Sequence, residues 1–403
     1  MLGFTSALDK EEDKLANNQR LYFGRRELAK GALLGGASFL LSTADSAGAE
    51  EPSGRGLLNA REFGAAADGK TDDTQALQRA LDAAAETRGA VFVPPGVYLT
   101  GELHLRPDTA LVGIPAWDYR GPGATVLRLA NAESSCLLNI TGAWGATIEG
   151  LALDGGRLGK NIHGIFLNKP DYGKHEDAFR IERCQVARFS GDGVNLTRAW
   201  CFSVRHSMLA YNQGDGLSLR GWDGFLVDNW FSGNKRAGFG ARHENASVTF
   251  TSNRVEWNGE ENLLITGGDG YQITGNFFDR AGTCAIGLRS GREPCSQMTV
   301  TGNFLKRSGK LANPDSHESS QILLEGARGV TCVGNNLQVW QDDDGTGVFS
   351  PSYGIVYKGL QDCVISNNVM YEGATRQLLV DLGGHGEGVV VKDNPGRLFK
   401  VKR

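Results

Sequence analysis

Short apolar stretches recur along most of the chain, and an asparagine follows closely behind each one. Within a stretch, apolar and polar residues alternate, and this period of two predicts β-strands rather than helices. Neighbouring asparagines are 24, 23, 27, 32, 32 and 27 residues apart, a spacing typical of a solenoid that stacks inward-facing asparagines in its turns. The asparagines share one column when the stretches are aligned: Asn229, Asn253, Asn276, Asn303, Asn335, Asn367 and Asn394.

A second short strand follows each asparagine turn. Alternation places residues such as Val194 and Leu217 in the core, and Asn195 and Ser218 on the surface. Because parallel strands of neighbouring coils lie about 4.8 Å apart, about ten coils would build one rod-shaped domain. The first residues of these strands form another column, here called the head column: His163, Asp192, Asp215, Ala237, Glu261, Cys284, Ser320, Tyr353 and Arg376.

The chain from Phe63 to Gly113 has a different pattern. Thr71 or Asp72 can cap a helix that ends at Gly89. Its apolar positions recur at helical spacing and fall on one face: Ala76, Leu77, Ala80, Leu81 and Ala84. Short strands are expected after the helix, around Val91, Tyr98, Leu103 and Leu111.

This segment contains an Asp-Gly-Lys-Thr-Asp-Asp-Thr run, a Pro-Pro-Gly-Val-Tyr strand and a Leu-Val-Gly turn, in that order. It resembles the N-terminal segment of the pectate-lyase-like superfamily. The resemblance implies an all-β fold, a single-stranded right-handed parallel β-helix whose open end is capped by an N-terminal α-helix. We therefore expect a β-helix domain over residues 63–403, with the cap segment at 63–113 and a linker at 50–62.

Glycine is the unusual component of the composition. It accounts for 56 of 403 residues, about twice the usual share of about 7%, which indicates many tight turns. The formal net charge of −4 is nearly balanced and favours no nucleic-acid partner. The seven cysteines are scattered without metal-ligand spacing, and positions such as Cys332 suit buried packing.

The N-terminus is predicted to direct export. Arg25 and Arg26 precede an apolar run over residues 31–41, and Ala-Gly-Ala at 47–49 offers a cleavage site. Residues 1–49 therefore resemble a twin-arginine signal, which implies a periplasmic or extracellular protein without a transmembrane segment after cleavage. A short amphipathic helix with an incidental arginine pair is the alternative.

The phrase Gly-Asp-Gly occurs at two neighbouring strand heads, Asp192 and Asp215. Two carboxylates about 4.8 Å apart cannot both ionise easily, which raises one pKa and places an acid beside a base in a solvent-filled groove. Asp215 and Glu261, about 9–10 Å apart, form another pair, near the upper end of the spacing for an inverting glycosidase. His163 lies one coil before. Turn formation alone also explains Gly-Asp-Gly, because glycine accepts positive φ and aspartate bonds its own backbone.

The resemblance to polygalacturonases implies catalytic roles for Asp192 and Asp215, which match the strand heads where that family carries its aspartates. Three departures argue against a polygalacturonase proper. A single aspartate stands where the family has two, Ala237 replaces a Gly-His-Gly on the next coil, and an Arg-x-Lys is missing. The expectation is thus a related hydrolase.

An outward column follows the site strands and contains several basic residues. Arg220, Arg242 and Arg289, with His243 beside them, could bind uronate carboxylates, and Asn195 could contact the same substrate. The strip also resembles the pectate-lyase arrangement, in which an arginine is the base and aspartates hold calcium. Neutralisation of the nearby carboxylates is the alternative role. The column comprises Asn168, Thr197, Arg220, Arg242, Thr266, Arg289, Glu325, Lys358 and Asp381.

Three insertions border these strands, at residues 168–177, 306–319 and 338–352, and could wall a groove. Residues 341–347 hint at a calcium loop, but the ligand spacing is incomplete, so the metal stays unknown and Ca²⁺ only an option. Trp257 and Trp340 could stack on sugar rings or simply pack.

Together, these patterns predict an exported enzyme that cleaves a uronate-containing polysaccharide or oligosaccharide by acid/base hydrolysis. A polysaccharide lyase with an arginine base is the first alternative. A non-catalytic glycan-binding or envelope β-helix protein is the second, because one fold supports both roles.

Overall fold

The computed structural model describes residues 56–119, 121, 123–341 and 345–400. The predicted export signal and the three consecutive aspartates at 342–344 lie outside these residues. No helix within the described part of the chain is long and apolar enough to cross a membrane.

Short strands, numbered β1 to β39 along the chain, wind into stacked coils with three faces. The first face comprises β1 Leu57–Asn59, β3 Ala90–Phe92, β6 Ala110–Val112, β9 Thr147–Glu149, β12 Arg180–Glu182, the second halves of β14 and β16 given below, β19 Asn245–Thr251, β22 Gln272–Thr274, β26 Thr299–Thr301, β30 Thr331–Val333, β35 Val364–Ser366 and β38 Val390–Lys392. The second face comprises β2 Asp68–Asp72, β4 Gly96–Thr100, β7 Thr125–Leu129, β10 Ala152–Asp154, β13 Gln185–Ala187, β15 Met208–Ala210, β17 Trp230–Ser232, β20 Arg254–Glu256, β23 Phe277–Asp279, β27 Phe304–Lys306 and β31 Asn336–Gln338.

The third face carries the head column and is called the site face. It comprises β5 Leu103–His104, β8 Cys136–Asn139, β11 His163–Asn168, β14 Val194–Arg205, β16 Leu217–Val227, β18 Phe239–Ala241, β21 Leu263–Thr266, β24 Ile286–Arg289, β28 Ser320–Glu325, β34 Tyr353–Lys358 and β37 Gln377–Asp381. Six short strands lie outside the faces: β25 Cys295–Ser296, β29 Ala327–Arg328, β32 Trp340–Gln341, β33 Phe349–Ser350, β36 Met370–Tyr371 and β39 Gly396–Arg397. Neighbouring coils pair in parallel, which confirms the predicted β-helix, and only β32 and β33 form an antiparallel pair in the described chain.

The core fills the space between the three faces with the inward side chains of every coil. Val194 lies opposite Leu217, which lies opposite Phe239, so apolar residues of successive coils stack directly. The alternation predicted for the site strands is confirmed: Val194, Leu196, Leu217, Leu219, Ile286 and Leu288 are all buried. Six of the seven cysteines are buried and all are free, in line with packing positions.

The first asparagine column stacks between the first and second faces. Asn276 Oδ1 accepts hydrogen bonds from the backbone amide of Asn253 (2.9 Å) and from its side-chain amide (3.1 Å), and each later coil repeats this pattern. The last-but-one member is Asn368 rather than Asn367. Asn367 instead adopts the left-handed backbone (φ 54°) that precedes each stacked asparagine, so aligning the sequence on Asn367 shifted that row by one residue.

The capping helix α1 spans Thr74–Thr87, with Asp73 rather than Thr71 or Asp72 at the N-cap. The Asp73 side chain makes no cap hydrogen bond and instead accepts from the backbone amides of Ala66 and Ala67, whereas Asp72 Oδ1 accepts the backbone amide of Thr74, the first helical residue. The helix ends at a left-handed Arg88 just before Gly89. Its five predicted apolar residues are buried, and strands cover the four predicted positions.

One domain boundary and one strand register differ from the sequence expectations. Strand β1 pairs with β3, so the β-helix already begins inside the predicted linker at 50–62. In the last coil, Tyr353 lies opposite Gln377 rather than Arg376, and Tyr357 lies opposite Asp381. Arg376 and Asp381 therefore each stand one residue out of the columns assigned to them.

Candidate functional site

A second column of asparagines supports the turn that leads into the site face, and the sequence patterns had not revealed it. Asn212, Asn234 and Asn258 are buried. The Oδ1 atoms of Asn234 and Asn258 accept the backbone amides of Asn212 and Asn234, at 3.2 and 3.1 Å. Each asparagine lies three residues before a head residue, Asp215, Ala237 or Glu261, and this spacing was the available signal.

The heads themselves form a hydrogen-bonded ladder. His163 Nδ1 accepts the backbone amide of Asp192 (3.0 Å), and Asp192 Oδ1 accepts that of Asp215 (2.7 Å). Asp215 Oδ1 in turn accepts the amide of Ala237 (2.9 Å). His163 is neutral, because its Nδ1 accepts a hydrogen bond and therefore carries no proton, and because burial lowers its pKa. Asp192 and Asp215 therefore each have a structural role, because each binds the backbone amide of the next coil.

Neither aspartate faces an open groove. Asp192 is 7% exposed and Asp215 is 0% exposed, so the expectation of a solvent-facing pair is wrong. The remaining oxygen of Asp192 accepts from Asn195 Nδ2 at 2.7 Å, which explains the position of Asn195. The reason for the burial of Asp215 is Arg242, whose guanidinium covers it.

Arg242 binds two carboxylates. Its Nη1 and Nη2 contact the two oxygens of Asp215, and Nη2 also lies 3.2 Å from Glu260. Burial raises the pKa of Asp215, Arg242 opposes the rise and the charge of Asp192 adds to it. The predicted direction of the pKa shift is thus confirmed, although burial rather than the neighbouring aspartate is its main cause.

A second arginine–carboxylate group lies two coils further along. Arg289 Nη2 donates to Glu261 (2.8 Å) and to Glu318 (2.6 Å). Glu318 comes from the insertion at 306–319, so this insertion does border the site face. Sequence reasoning missed Glu318, since no periodicity fixes the path of an inserted loop.

Glu261, Glu318 and Cys284 bring their ligand atoms within 4.8 Å of one another, which raises the question of a metal. Calcium prefers six to eight oxygen ligands, and here a thiol replaces one oxygen while Arg289 already bridges the two carboxylates. This group of residues does not fit calcium.

The other predicted substrate-binding residues lie on the outward side of the site face. Arg220 Nη2 and Nε both donate to Glu244 Oε2, at 2.7 and 3.1 Å, and the neighbouring His243 is exposed. Arg220, Arg242 and Arg289 thus each pair with at least one carboxylate of the protein. These contacts agree with the alternative role, in which the arginines neutralise nearby carboxylates. The carboxylates also change the arginines: although burial opposes the change, Asp215 raises the pKa of Arg242, and Glu318 raises that of Arg289.

The lack of a side chain at Gly240 leaves room for the ion pair of Asp215 and Arg242. Gly240 lies outward on the coil between Asp215 and Glu261, and a Cβ there would collide with the side chains of Asp215 and Arg242. On the border with the first face, the insertion at 168–177 is anchored by Tyr172, which stacks on Trp222 at 3.7 Å.

The head residues themselves are largely covered, since Asp192 and Glu261 are each 7% exposed and Asp215 is 0% exposed. Within the described residues, a hollow of 670 Å³ lies around Asn367 and Asn394, and another of 240 Å³ lies around residues 290–294.

The stacked parallel coils and the charged column along one face define the class, a parallel β-helix protein. Two family models match the chain, described as rhamnogalacturonase A/epimerase, pectate lyase-like (residues 57–121) and right-handed β-helix region (residues 137–305). Both matches agree with the resemblance to the pectate-lyase-like superfamily that the sequence motifs had indicated.

Similar curated proteins act on polysaccharides. The mannuronan C5-epimerase AlgE3 of Azotobacter vinelandii is 30% identical over 240 residues, 52% of this chain and 12% of that protein. Alginate lyase 7 of the same organism is 30% identical over 213 residues, 45% of this chain and 23% of that protein. The chain therefore spans less than a quarter of the length of these two relatives.

Similar solved structures share the fold. The A-module of the Azotobacter vinelandii mannuronan C-5 epimerase AlgE4 has a TM-score of 0.58 at 20% identity, over 85% of this chain and all of that chain. An exopolygalacturonase from Thermotoga maritima has a TM-score of 0.57 at 13% identity, over 83% and 91% of the two chains.

Proposed function

We propose that this chain is an exported enzyme that cleaves a uronate-containing polysaccharide by glycoside hydrolysis on the site face. The similarity to mannuronan epimerases and to an alginate lyase supports the substrate class. Export rests on the predicted twin-arginine signal.

One observation supports hydrolysis over elimination. An arginine that acts as a base must first lose its proton, and the carboxylates around Arg242 and Arg289 raise the pKa of both guanidiniums. The two arginines are thus suited to hold carboxylates, whether of the protein or of a uronate. The acidic residues of the head column are then the groups that transfer protons.

Within this proposal, Asp215 is the proton donor and Glu261 the base. Burial raises the pKa of Asp215, as a general acid requires, while Glu261 accepts a hydrogen bond from Arg289. Two coils separate the residues, about 9–10 Å between their α-carbons, which is near the upper end of the carboxylate spacing of inverting glycosidases. For Asp215 to donate, Arg242 must move toward the substrate carboxylate.

Asp192 then acts as a positioning residue, because its Oδ1 holds the backbone amide of Asp215. Its replacement should therefore reduce the rate less than replacement of the reacting groups.

The test is a screen of the purified protein against a glycan panel, read for new reducing ends and for the absorbance of unsaturated uronates. Asp215→Asn and Glu261→Gln should each lower kcat by about 10²–10⁴-fold, because each removes one proton-transfer group. Asp192→Asn should lose about tenfold and shift the acid limb of the pH profile. Glu182→Gln, on the first face, is the control and should match the parent.

Unsaturated products, or full activity of both Asp215→Asn and Glu261→Gln, would contradict the hydrolase. The ladder favours one other function, a glycan-binding protein without catalysis, because Asp192 and Asp215 both have structural hydrogen bonds that need no chemistry. Binding without cleavage of any panel member would support that alternative.

A further inference from the structure

The second face carries a row of aromatic and cationic side chains that the proposed reaction does not use. Trp230, Arg254, Phe277 and Phe304 lie opposite one another on β17, β20, β23 and β27. The Arg254 guanidinium lies 5.5 Å from the centre of the Trp230 ring and 4.7 Å from that of Phe277. Phe277 and Phe304 stack at 5.1 Å, so the row continues over four coils.

Further cations lie over aromatic rings along the border of this row. Lys306 lies 5.2 Å from the Trp340 ring, and Lys310 lies 4.6 Å from the Trp257 ring. We call the whole group the second-face strip. It comprises Trp230, Arg254, Glu256, Trp257, Phe277, Asp279, Arg280, Phe304, Lys306, Arg307, Lys310 and Trp340.

The strip carries more positive than negative charge, and Arg254 is its most exposed arginine. It contains five basic and two acidic residues, although the whole chain has a formal net charge of −4. The two acids, Glu256 and Asp279, are 3% and 0% exposed, whereas the Arg254 side chain is 48% exposed. Burial, together with the adjacent Arg307, lowers the pKa of Lys306, the direction expected where cations are crowded.

We infer that the second-face strip is a binding surface for an anionic polysaccharide, separate from the reactive head column. Guanidinium and ammonium groups bind carboxylate or sulfate groups, and aromatic rings stack on the apolar faces of sugars. Because each coil adds one such group about every 4.8 Å, the strip matches an extended repeating chain rather than a small anion. No residue of the head column takes part, so this surface does not depend on the proposed reaction.

The test measures binding of the full chain to alginate and to polygalacturonate by affinity electrophoresis, with neutral dextran as the reference polymer. Lys306→Gln, Lys310→Gln and Trp340→Ala are combined in one variant, which spares the arginines that hold the buried acids. The variant should bind both anionic polymers about tenfold or more weakly, and higher salt should weaken the parent in the same way.

A matched variant carries the same chemical changes away from the strip, with Arg328→Gln, Lys392→Gln and Phe225→Ala. It removes the same number of cations and aromatic rings as the strip variant, with one arginine in place of a lysine and a phenylalanine in place of the tryptophan, and should bind like the parent. Urea unfolding of both variants checks that the fold is intact.

Equal binding of the strip variant and the parent would overturn the inference, as would equal retention on dextran. Equal retention by vesicles of anionic phospholipid would overturn it too, because the strip would then recognise any negative surface. The Glu261→Gln variant separates this inference from the proposed function: it should lose cleavage and keep binding. A parent that binds but never cleaves would contradict only the proposed function.

Discussion

The site face and the second face both bury carboxylates beneath arginines, but in opposite proportions. On the site face, Arg242 is shared by Asp215 and Glu260, and Arg289 by Glu261 and Glu318. On the second face the ratio is reversed, as the following pairs show.

Asp279 on the second face is shared by Arg280 and Arg307, and Asp154 by Arg128 and Arg188. At Arg242 and Arg289 the carboxylates thus outnumber the arginines, whereas at Asp279 and Asp154 the arginines outnumber the carboxylates. Under the two proposals above, this difference in stoichiometry distinguishes a face for chemistry from a face for binding.

Asp279→Ala, on the second face, should lower the free energy of unfolding the most. The change leaves Arg280 and Arg307 without their shared carboxylate in a buried position, which typically costs about 3–5 kcal/mol of the free energy of unfolding. Urea unfolding at pH 7 measures the loss. Asp315→Ala, which removes an exposed pair with Arg376, serves as the control and should leave the unfolding curve unchanged. A loss below about 1 kcal/mol at Asp279 would mean that the arginines do not need this acid.

Arg242→Met should have the next largest effect, about 3 kcal/mol at pH 7, because Asp215 then stays buried without a cation. The sign of its pH dependence follows from the raised pKa of Asp215 in the folded protein. An acid whose folded pKa exceeds its unfolded pKa loses stability as the pH rises through that window, so the deficit should shrink toward pH 4.

Unfolding of Arg242→Met from about pH 4 to 8 tests this sign. Arg220→Met, which removes an exposed pair with Glu244, is the reference and should show no such trend. A deficit independent of pH would mean that Arg242 stabilises the fold by packing rather than by its charge.

A smaller loss, about 2 kcal/mol, is expected for Asn234→Ala at the border between the two faces. Its Oδ1 accepts from Asn212 and its side-chain amide donates to Asn258, so the change leaves buried amide groups without partners. Amide hydrogen exchange should accelerate at Asp215 and Ala237 more than on the second face. Asn367→Gly, at an exposed left-handed position, should leave exchange unchanged; equal acceleration on both faces would contradict a local role.

Arg254→Met should have the smallest effect, about 1 kcal/mol, because the Arg254 side chain is half exposed and Glu256, which loses its cation, keeps hydrogen bonds from Trp230 Nε1 and Tyr119 Oη. Thermal or urea unfolding measures it. A small loss here beside a large one at Asp279 would show that the exposed cations of the second face are dispensable for folding. A loss above about 2 kcal/mol would show that Arg254 belongs to the structural framework.

The sequence predicts the fold well because the β-helix repeats local rules. Period-two alternation identified the buried residues of the site strands, such as Val194 and Leu217, and the asparagines marked the coils. Asn367 was misassigned because two consecutive asparagines fit the same row, and only the left-handed backbone at the first distinguishes them.

The chemistry of the site was less predictable. The pairs of Arg242 with Asp215 and of Arg289 with Glu261 join residues 27 and 28 positions apart, and they depend on side-chain direction rather than on strand register. The predicted columns brought these residues to one face, which the structure confirms. They did not reveal that an arginine would cover Asp215, nor that a loop would add Glu318.

The first asparagine column sets the pitch of the coils but leaves their circumference free. Its hydrogen bonds join residues 23, 24, 26, 27, 32 or 33 positions apart with nearly the same geometry. A coil can therefore gain ten residues at one corner without moving the corners above and below it. Exchanging loops between such proteins would change which ligand the surface binds. The distances between side chains on neighbouring coils would stay the same.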